Sequence, residues 1–485
     1  MTFRNPICAV RTRCAPLVVL TLLAGCHVGP NYKTPAPPAD SETSLVSFNP
    51  VLESAEQTPD AWWRLYSDPR LDTLVQEALT ANRDLAAADA NLSAARAALS
   101  AVRANRLPQT EVVAGAVYGR DPQTDEILEL TGRHPKTIWL YEDLFEVAYE
   151  VDLFGRVHRA VEASSANAEA VAATRDSVRV LVAAATTNDY AAICTLGEEL
   201  AVARRSLDIA TNEANITEQR YEAGGNSQLD VARAQALASQ VRASIPQLEG
   251  ARKAALFELT AFLGRTPAHA PAELETCATA PHLSALIPIG DGKELIRRRP
   301  DVRQAERRLA AATAQIGVAT AELYPSIQLL GFYGGAATRP AELTTSAGTV
   351  WGVGPKITWA FPNQAGPRAR VRQAKASQAA ALASFDSVVL TALKETEQAL
   401  AQYSAALDRR QALADAQNQI HRAFDIARDE YLAGSVSNLD LLTTEQSMVA
   451  TDAAVASQDA TLVQLQIAVF KALGGGWHNE SQPQP

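Results

Sequence analysis

Three groups of residues in this 485-residue sequence have types and spacings that could do chemistry. The first is the acids Glu146, Glu150 and Asp152, which could serve as general acids and bases or as ligands for a cation. They lie within a run that alternates with period two: Phe145, Val147, Tyr149, Val151 and Leu153 take one face, and Glu146, Ala148, Glu150 and Asp152 the other. That is a strand with one apolar and one wet face, which explains the acids better than a catalytic group does. The second is a pair of near-identical turns, Tyr221-Glu-Ala-Gly-Gly-Asn-Ser-Gln-Leu-Asp230 and Tyr431-Leu-Ala-Gly-Ser-Val-Ser-Asn-Leu-Asp440, at a constant offset of 210. Gly224 and Gly434 suit the left-handed end of a helix, and Asp230 and Asp440 the start of the next. The third is the cysteines. No Cys/His spacing suggests a metal. His134, His158, His269, His282, His421 and His478 are scattered, and there is no nucleophile elbow, zinc motif or Gly-rich phosphate loop, so no enzyme is expected.

Residues 1–25 read as a secretory leader, with Arg4, Arg11 and Arg13 before an apolar core. Its end, Leu23-Ala24-Gly25-Cys26, resembles the bacterial lipoprotein box, which implies that Cys26 becomes an acylated N-terminus. That lipid is the only group expected to be attached, with no other cofactor and no metal. His27 rather than aspartate after it favours sorting to the outer membrane. Cys8 and Cys14 leave with the leader. Cys194, in a helical pattern, and Cys277, in a linker, are expected to remain as free thiols, a disulfide being the alternative in an oxidising compartment. A net charge of −10 without a basic block makes nucleic acid an unsuitable partner.

The elements that carry these residues fall into two halves. An extended, Pro-rich segment occupies 26–60. A first half, 61–263, contains a helix, strands near 110–118 and 143–154, a long helix, the turn 221–230 and a helix with a kink or break expected at Pro246. A linker covers 264–293. A second half, 294–474, repeats the plan, with strands near 326–335 and 350–361 and the turn 431–440, before a loose tail at 475–485. Each long helix is about 100 Å at 1.5 Å per residue, and its charges require it to pack sideways against similar helices.

Four strands cannot close a barrel, and open edges cannot exist in lipid. The apolar faces, with Trp139, Tyr149, Phe154, Tyr333, Trp351, Trp359 and Phe361, suit membrane-facing strands. The expected fold class is therefore an α+β membrane protein with two internal repeats. Three copies would share a 12-stranded outer-membrane β-barrel, four strands per chain, continued by a long antiparallel α-helical periplasmic tunnel.

With these stretches in view, the chain resembles the outer-membrane efflux protein family, the TolC/OprM-like, NodT-type lipoproteins. The resemblance rests on Cys26-His-Val-Gly-Pro-Asn-Tyr32, Tyr149-Glu-Val-Asp-Leu-Phe-Gly-Arg156, the run from Arg299 through Ala314-Gln-Ile-Gly-Val-Ala319 to Tyr324-Pro-Ser326, and the two turns. It implies a homotrimeric passive duct in the outer-membrane lipid. Such a duct is fed by an inner-membrane resistance-nodulation-division (RND) pump through a periplasmic membrane-fusion adaptor. The turns, with Tyr221, Gly224, Asp230, Arg233, Tyr431, Gly434, Asp440 and Thr443, would form the periplasmic gate and adaptor contact, and Glu146, Glu150 and Asp152 would face the lumen. Asp230 and Asp440 match the family's tip acids; Thr443 stands where a second acid beyond the later one is common, and Arg233 is its counterpart in the first half. Multidrug export is the first expectation. Type I protein secretion and metal efflux are the alternatives, with Met1 and Met448 too few for a thioether ladder. A pore-less coiled-coil lipoprotein would have no use for the alternating strands.

Overall fold

A computed structural model describes residues 28–38, 45–47, 53–54, 56, 58–120, 137–283, 286–290 and 292–475. Cys26, His134 and His478 lie outside them. The order is β1 (Glu53–Ser54), α1 (Pro69–Ala81), α2 (Arg83–Ala104), β2 (Gln109–Gly119), β3 (Ile138–Val151), α3 (Arg156–Glu222), α4 (Gln228–Phe262), β4 (Ile287–Pro288), α5 (Gly292–Arg298), α6 (Pro300–Ala321), β5 (Ser326–Ala337), β6 (Thr349–Thr358), α7 (Ala365–Leu432) and α8 (Asn438–Ala472). The chain divides into two compact units. One takes the described residues of Met1–Pro35, Ser93–Ala170 and Glu306–Ser384; the other takes those of Ala36–Leu92, Val171–Ala305 and Phe385–Pro485.

The first unit holds a four-stranded antiparallel sheet in the order β2-β3-β5-β6. Its register sets Val112, Phe145, Tyr333 and Trp351 in one row across the sheet. Paired residues of an antiparallel sheet share a face. That face also carries Val147, Tyr149, Leu329, Val353 and Ile357, and its large side chains are open in the single chain, with Trp351 71% and Val353 81% exposed. β3 stops at Val151 because Asp152 turns to cap α3, accepting from the N–H groups of Val157 at 3.1 Å and His158 at 2.8 Å. Phe154, expected at a strand end, lies beyond it and stacks on Tyr324 at 4.6 Å.

The N-terminal segment is pinned to this unit. Val28 N–H donates to the Phe154 carbonyl at 3.2 Å. Gly29, at φ +92°, passes so close that a Cβ would meet Gly317 Cα at 2.5 Å. The buried guanidinium of Arg159 binds Asn31 Oδ1 at 2.6 Å and Glu162 at 2.7 Å. Tyr32 donates to Glu306 at 2.9 Å and receives the Arg307 guanidinium 5.4 Å from its ring centre.

The second unit has the larger core. Trp62 and Trp63, on a 3₁₀ turn at Trp62–Tyr66, pack with Leu71, Val75, Ile193, Leu259 and Leu400, and Trp62 stacks on Phe470 at 4.7 Å. Asp68 caps α1, with Pro69 as its first residue. Between the long helices many of the buried residues are alanine, which lets helix axes approach closely. Of the kink or break expected at Pro246, the break does not occur: α4 runs through it as one helix. The linker is also more ordered than its composition suggests. It makes 3₁₀ turns at Pro267–His269 and Ala272–Thr276, and β4 pairs in parallel with β1. The expectation of free thiols is corrected here, since Cys194 and Cys277 form a disulfide with Cα atoms 4.8 Å apart. Arg252 draws the linker onto α3: its guanidinium donates to the carbonyls of Ile193, Leu274 and Cys277. A Cβ on Gly197 would sit 2.0 Å from the Cys277 carbonyl oxygen, so only glycine permits this approach.

Candidate functional site

The two turns lie together in the second unit, and each is built by its own residues. Gly224 (φ +81°) and Gly434 (φ +79°) end their helices. Gly225 N–H then reaches back to the Arg220 carbonyl at 2.7 Å, and Ser435 N–H to that of Glu430 at 2.8 Å. Ser227 and Asp230 form a reciprocal capping box at the start of α4; Ser437 and Asp440 do the same for α8. Both aspartates are thus engaged in starting helices. The Ser227 side chain and N–H, donating to the carboxylate, hold Asp230 below the ordinary aspartate range. Arg233 stands 4.0 Å from Asp230. Thr443 turns back to its own helix, donating to the Asp440 carbonyl at 3.0 Å.

One turn then grips the other. Tyr431 is buried beneath Arg220, whose guanidinium carbon lies 4.2 Å from the ring centre and which also donates to the Tyr431 carbonyl at 3.1 Å. Asn226 donates to the Tyr431 hydroxyl at 2.7 Å, and Asn438 to Thr217 Oγ1 at 3.1 Å. Phe424, Leu441 and Met448 complete an apolar cluster around Tyr431. Tyr221, its counterpart, is 42% exposed. Arg220, Asn226 and Thr217 escaped the sequence reading; their signal is only that Glu430, Val436 and Ala427 replace them at the constant offset.

Behind the turns lies a buried carboxylate the sequence does not mark. Glu445 is fully buried, and neither oxygen has a hydrogen-bond partner among the described residues. Burial, with Glu213 nearby, raises its pKa to about 7. Glu213 is itself buried and raised by desolvation, with Arg428 3.5 Å away opposing that shift.

On the polar face of the sheet, register adds two acids to the candidates. Glu111 pairs directly with Glu146, and Glu142 lies two pairs further along the same face. Like charges placed opposite one another are unfavourable unless water or cations screen them, so this face is wet. Glu150 is held by Arg156 and sits in a row with Gln328 and Lys356. Of the three acids read from sequence, Glu146 is exposed, Glu150 is ion-paired and Asp152 is a helix cap. Among the described residues no cluster of three or more His, Cys, Asp or Glu suited to a metal is present.

This arrangement has counterparts. The outer membrane efflux protein family model matches residues 74–265 and 292–475. The pyoverdine export outer membrane protein OpmQ of Pseudomonas aeruginosa is 28% identical over 480 residues, covering 96% of this chain and 98% of OpmQ. The probable outer membrane lipoprotein SilC of Salmonella typhimurium is 29% identical over 469 residues, covering 94% and 97%. Among solved structures, the outer-membrane channel OprN superposes with a TM-score of 0.85 at 35% identity, covering 93% of this chain and all of that one. The open state of the Neisseria gonorrhoeae MtrE outer membrane channel gives 0.81 at 26%, covering 93% and 98%. With the family model matching most of the chain, the chain belongs to the outer membrane efflux protein family: it is an outer-membrane efflux channel.

Proposed function

We propose that three copies of this chain close a 12-stranded barrel and form the passive exit duct of a tripartite pump, receiving small molecules from an RND pump through a periplasmic adaptor. The observation that carries this is the sheet. It has one exposed apolar face, and the outer edges of β2 and β6 pair with no other strand among the described residues. In lipid those edges must be satisfied, and further copies are the simplest source of strands. Leu382 and Leu390, exposed on α7, are the sort of surface such copies would cover. The two family-matched segments and the recurring element order support a duplicated plan. A duct needs no catalytic group, because the pump supplies the energy.

Lipidation of Cys26 fits a segment that is fastened from Val28 onward to the base of the sheet. Relatives named for pyoverdine, toluene and antibiotic export point to varied small molecules. Deletion in a strain that retains pump and adaptor should lower tolerance to several unrelated drugs. Loss of tolerance to metals alone would select the metal-efflux reading, and no phenotype with redundant channels removed would select protein secretion.

The turns are proposed as the gate and adaptor contact, with Asp230 and Asp440 each forming a ring of three carboxylates about the trimer axis while also capping their helices. Asp440→Ala, and the isosteric Asp440→Asn that removes only charge, should raise single-channel conductance in a planar bilayer. Unchanged conductance in both would sink the gating role.

A further inference from the structure

In the first unit, the ends of α2 and α3 and the side of α6 enclose an open cavity of about 430 Å³. Its lining includes Tyr32, Arg103, Arg106, His158, Glu162 and Arg307. The acids there are already engaged: Glu162 holds Arg159 at 2.7 Å, and Glu169 holds Arg307 at 3.2 Å. Arg103 and Arg106 are exposed, one turn apart, and among the described residues neither has an acidic partner within 4.0 Å. Two neighbouring guanidiniums without a carboxylate repel each other and present a ready fork for phosphate oxygens.

Their level in the fold says which phosphate. Arg106 is three residues before the first residue of β2, and His158 follows closely on the end of β3. At the same strand ends stand exposed Leu107 and Tyr324, and Trp359 stacked on Phe361 at 4.7 Å. Exposed aromatics at the ends of membrane strands mark the lipid–water boundary, and basic groups just beyond them meet the headgroups. Tyr32, in the segment that follows Cys26, lines the same cavity.

We propose that this cavity is a binding site for the headgroup of an anionic phospholipid of the periplasmic leaflet. Its phosphodiester lies between Arg103 and Arg106, and its acyl chains run past Leu107 toward the apolar face of the sheet. The site rests on the reading that the sheet is the membrane-embedded part.

The test uses the full-length protein in detergent, titrated with phosphatidylglycerol or phosphatidylcholine and read by native mass spectrometry. Wild type should retain phosphatidylglycerol about thirtyfold more than phosphatidylcholine, given roughly 1 kcal/mol for each of the two basic residues near an anionic headgroup. The Arg103→Gln/Arg106→Gln variant should lose that preference, and Arg205→Gln, an exposed arginine of the second unit, should keep it. Undiminished preference in the double variant overturns the site. Glycerol phosphate, which has the headgroup but no acyl chains, binding as tightly as phosphatidylglycerol overturns the lipid assignment in favour of a free-anion site. Membrane fractionation of the same variants separates the two readings: a protein absent from the outer membrane fails the embedding of the sheet, whereas a double variant present there with unchanged lipid preference fails the site alone.

Discussion

Tyr221 and Tyr431 hold the same place in two turns of the same construction, yet one is exposed and the other is among the best-buried aromatics of its unit. The turns themselves do not differ. Each has its left-handed glycine, its backward bond to the helix before it and its serine–aspartate box. What differs is what each offers the other. The first turn presents Arg220 and Asn226 to Tyr431. At the matching offset the second has Glu430 and Val436, so it carries no guanidinium to return. Local sequence therefore sets the shape of a turn, and a few flanking residues set which side of it is gripped.

The sharpest way to break this comparison is to truncate both tyrosines. Tyr431→Ala should cost about 3–5 kcal/mol of stability in urea unfolding, the range for removing a buried aromatic ring. Tyr221→Ala should stay within about 0.5 kcal/mol. Equal losses would mean that Tyr221 is covered as fully as its counterpart.

The next largest effect concerns Glu445. Its ordinary pKa of 4.5 is raised to about 7 by burial, so the folded chain keeps a proton that the unfolded chain has released. Stability should then fall as pH rises from about 4.5 to about 7, and level off above. Asp189, also raised to about 7 by burial, contributes a slope of the same sign. Glu445→Gln should make the unfolding midpoint rise more at pH 8 than at pH 5, leaving the shallower dependence of Asp189. A variant whose pH profile matched wild type would remove Glu445 from the account.

Smaller still, and a test of likeness rather than difference, are the caps. Ser227→Ala and Ser437→Ala should each cost about 1 kcal/mol, by the same unfolding assay. Unequal losses would show that the shared geometry hides unequal roles. Least of all should come from Arg233→Ala, since an exposed ion pair at the distance seen contributes at most about 1 kcal/mol.

Much of the architecture was legible because it is written locally. Alternation from Phe145 to Val151 marks a strand by itself, and Gly224 followed by Ser227 and Asp230 marks a helix end and a helix start within ten residues. What escaped depends on contacts across long separations. Cys194 and Cys277 are 83 positions apart, and nothing in either neighbourhood says that the linker folds back along α3. Glu111 joins Glu146 only once the register of β2 on β3 is known, and the sequence between the two strands leaves that register unset. Glu445 looks like any helix-surface glutamate; only the packing of the helices behind the turns buries it. The acids that were legible proved to have mixed uses, since Asp152 and Glu150 serve the strand-to-helix junction as much as any lumen.

The bond between Cys194 and Cys277 also bears on when this shape can exist. The chain is made where thiols stay reduced, and passage through a secretory pore requires a flexible, unlooped polypeptide. A link that ties the connector between the two halves to the first long helix would obstruct that passage if it formed early. It closes only after export, by oxidation in the compartment where the channel is assembled. The fastening thus holds the connector to the first half alone, and it can close as soon as Cys277 has followed Cys194 through the pore, before the second half arrives.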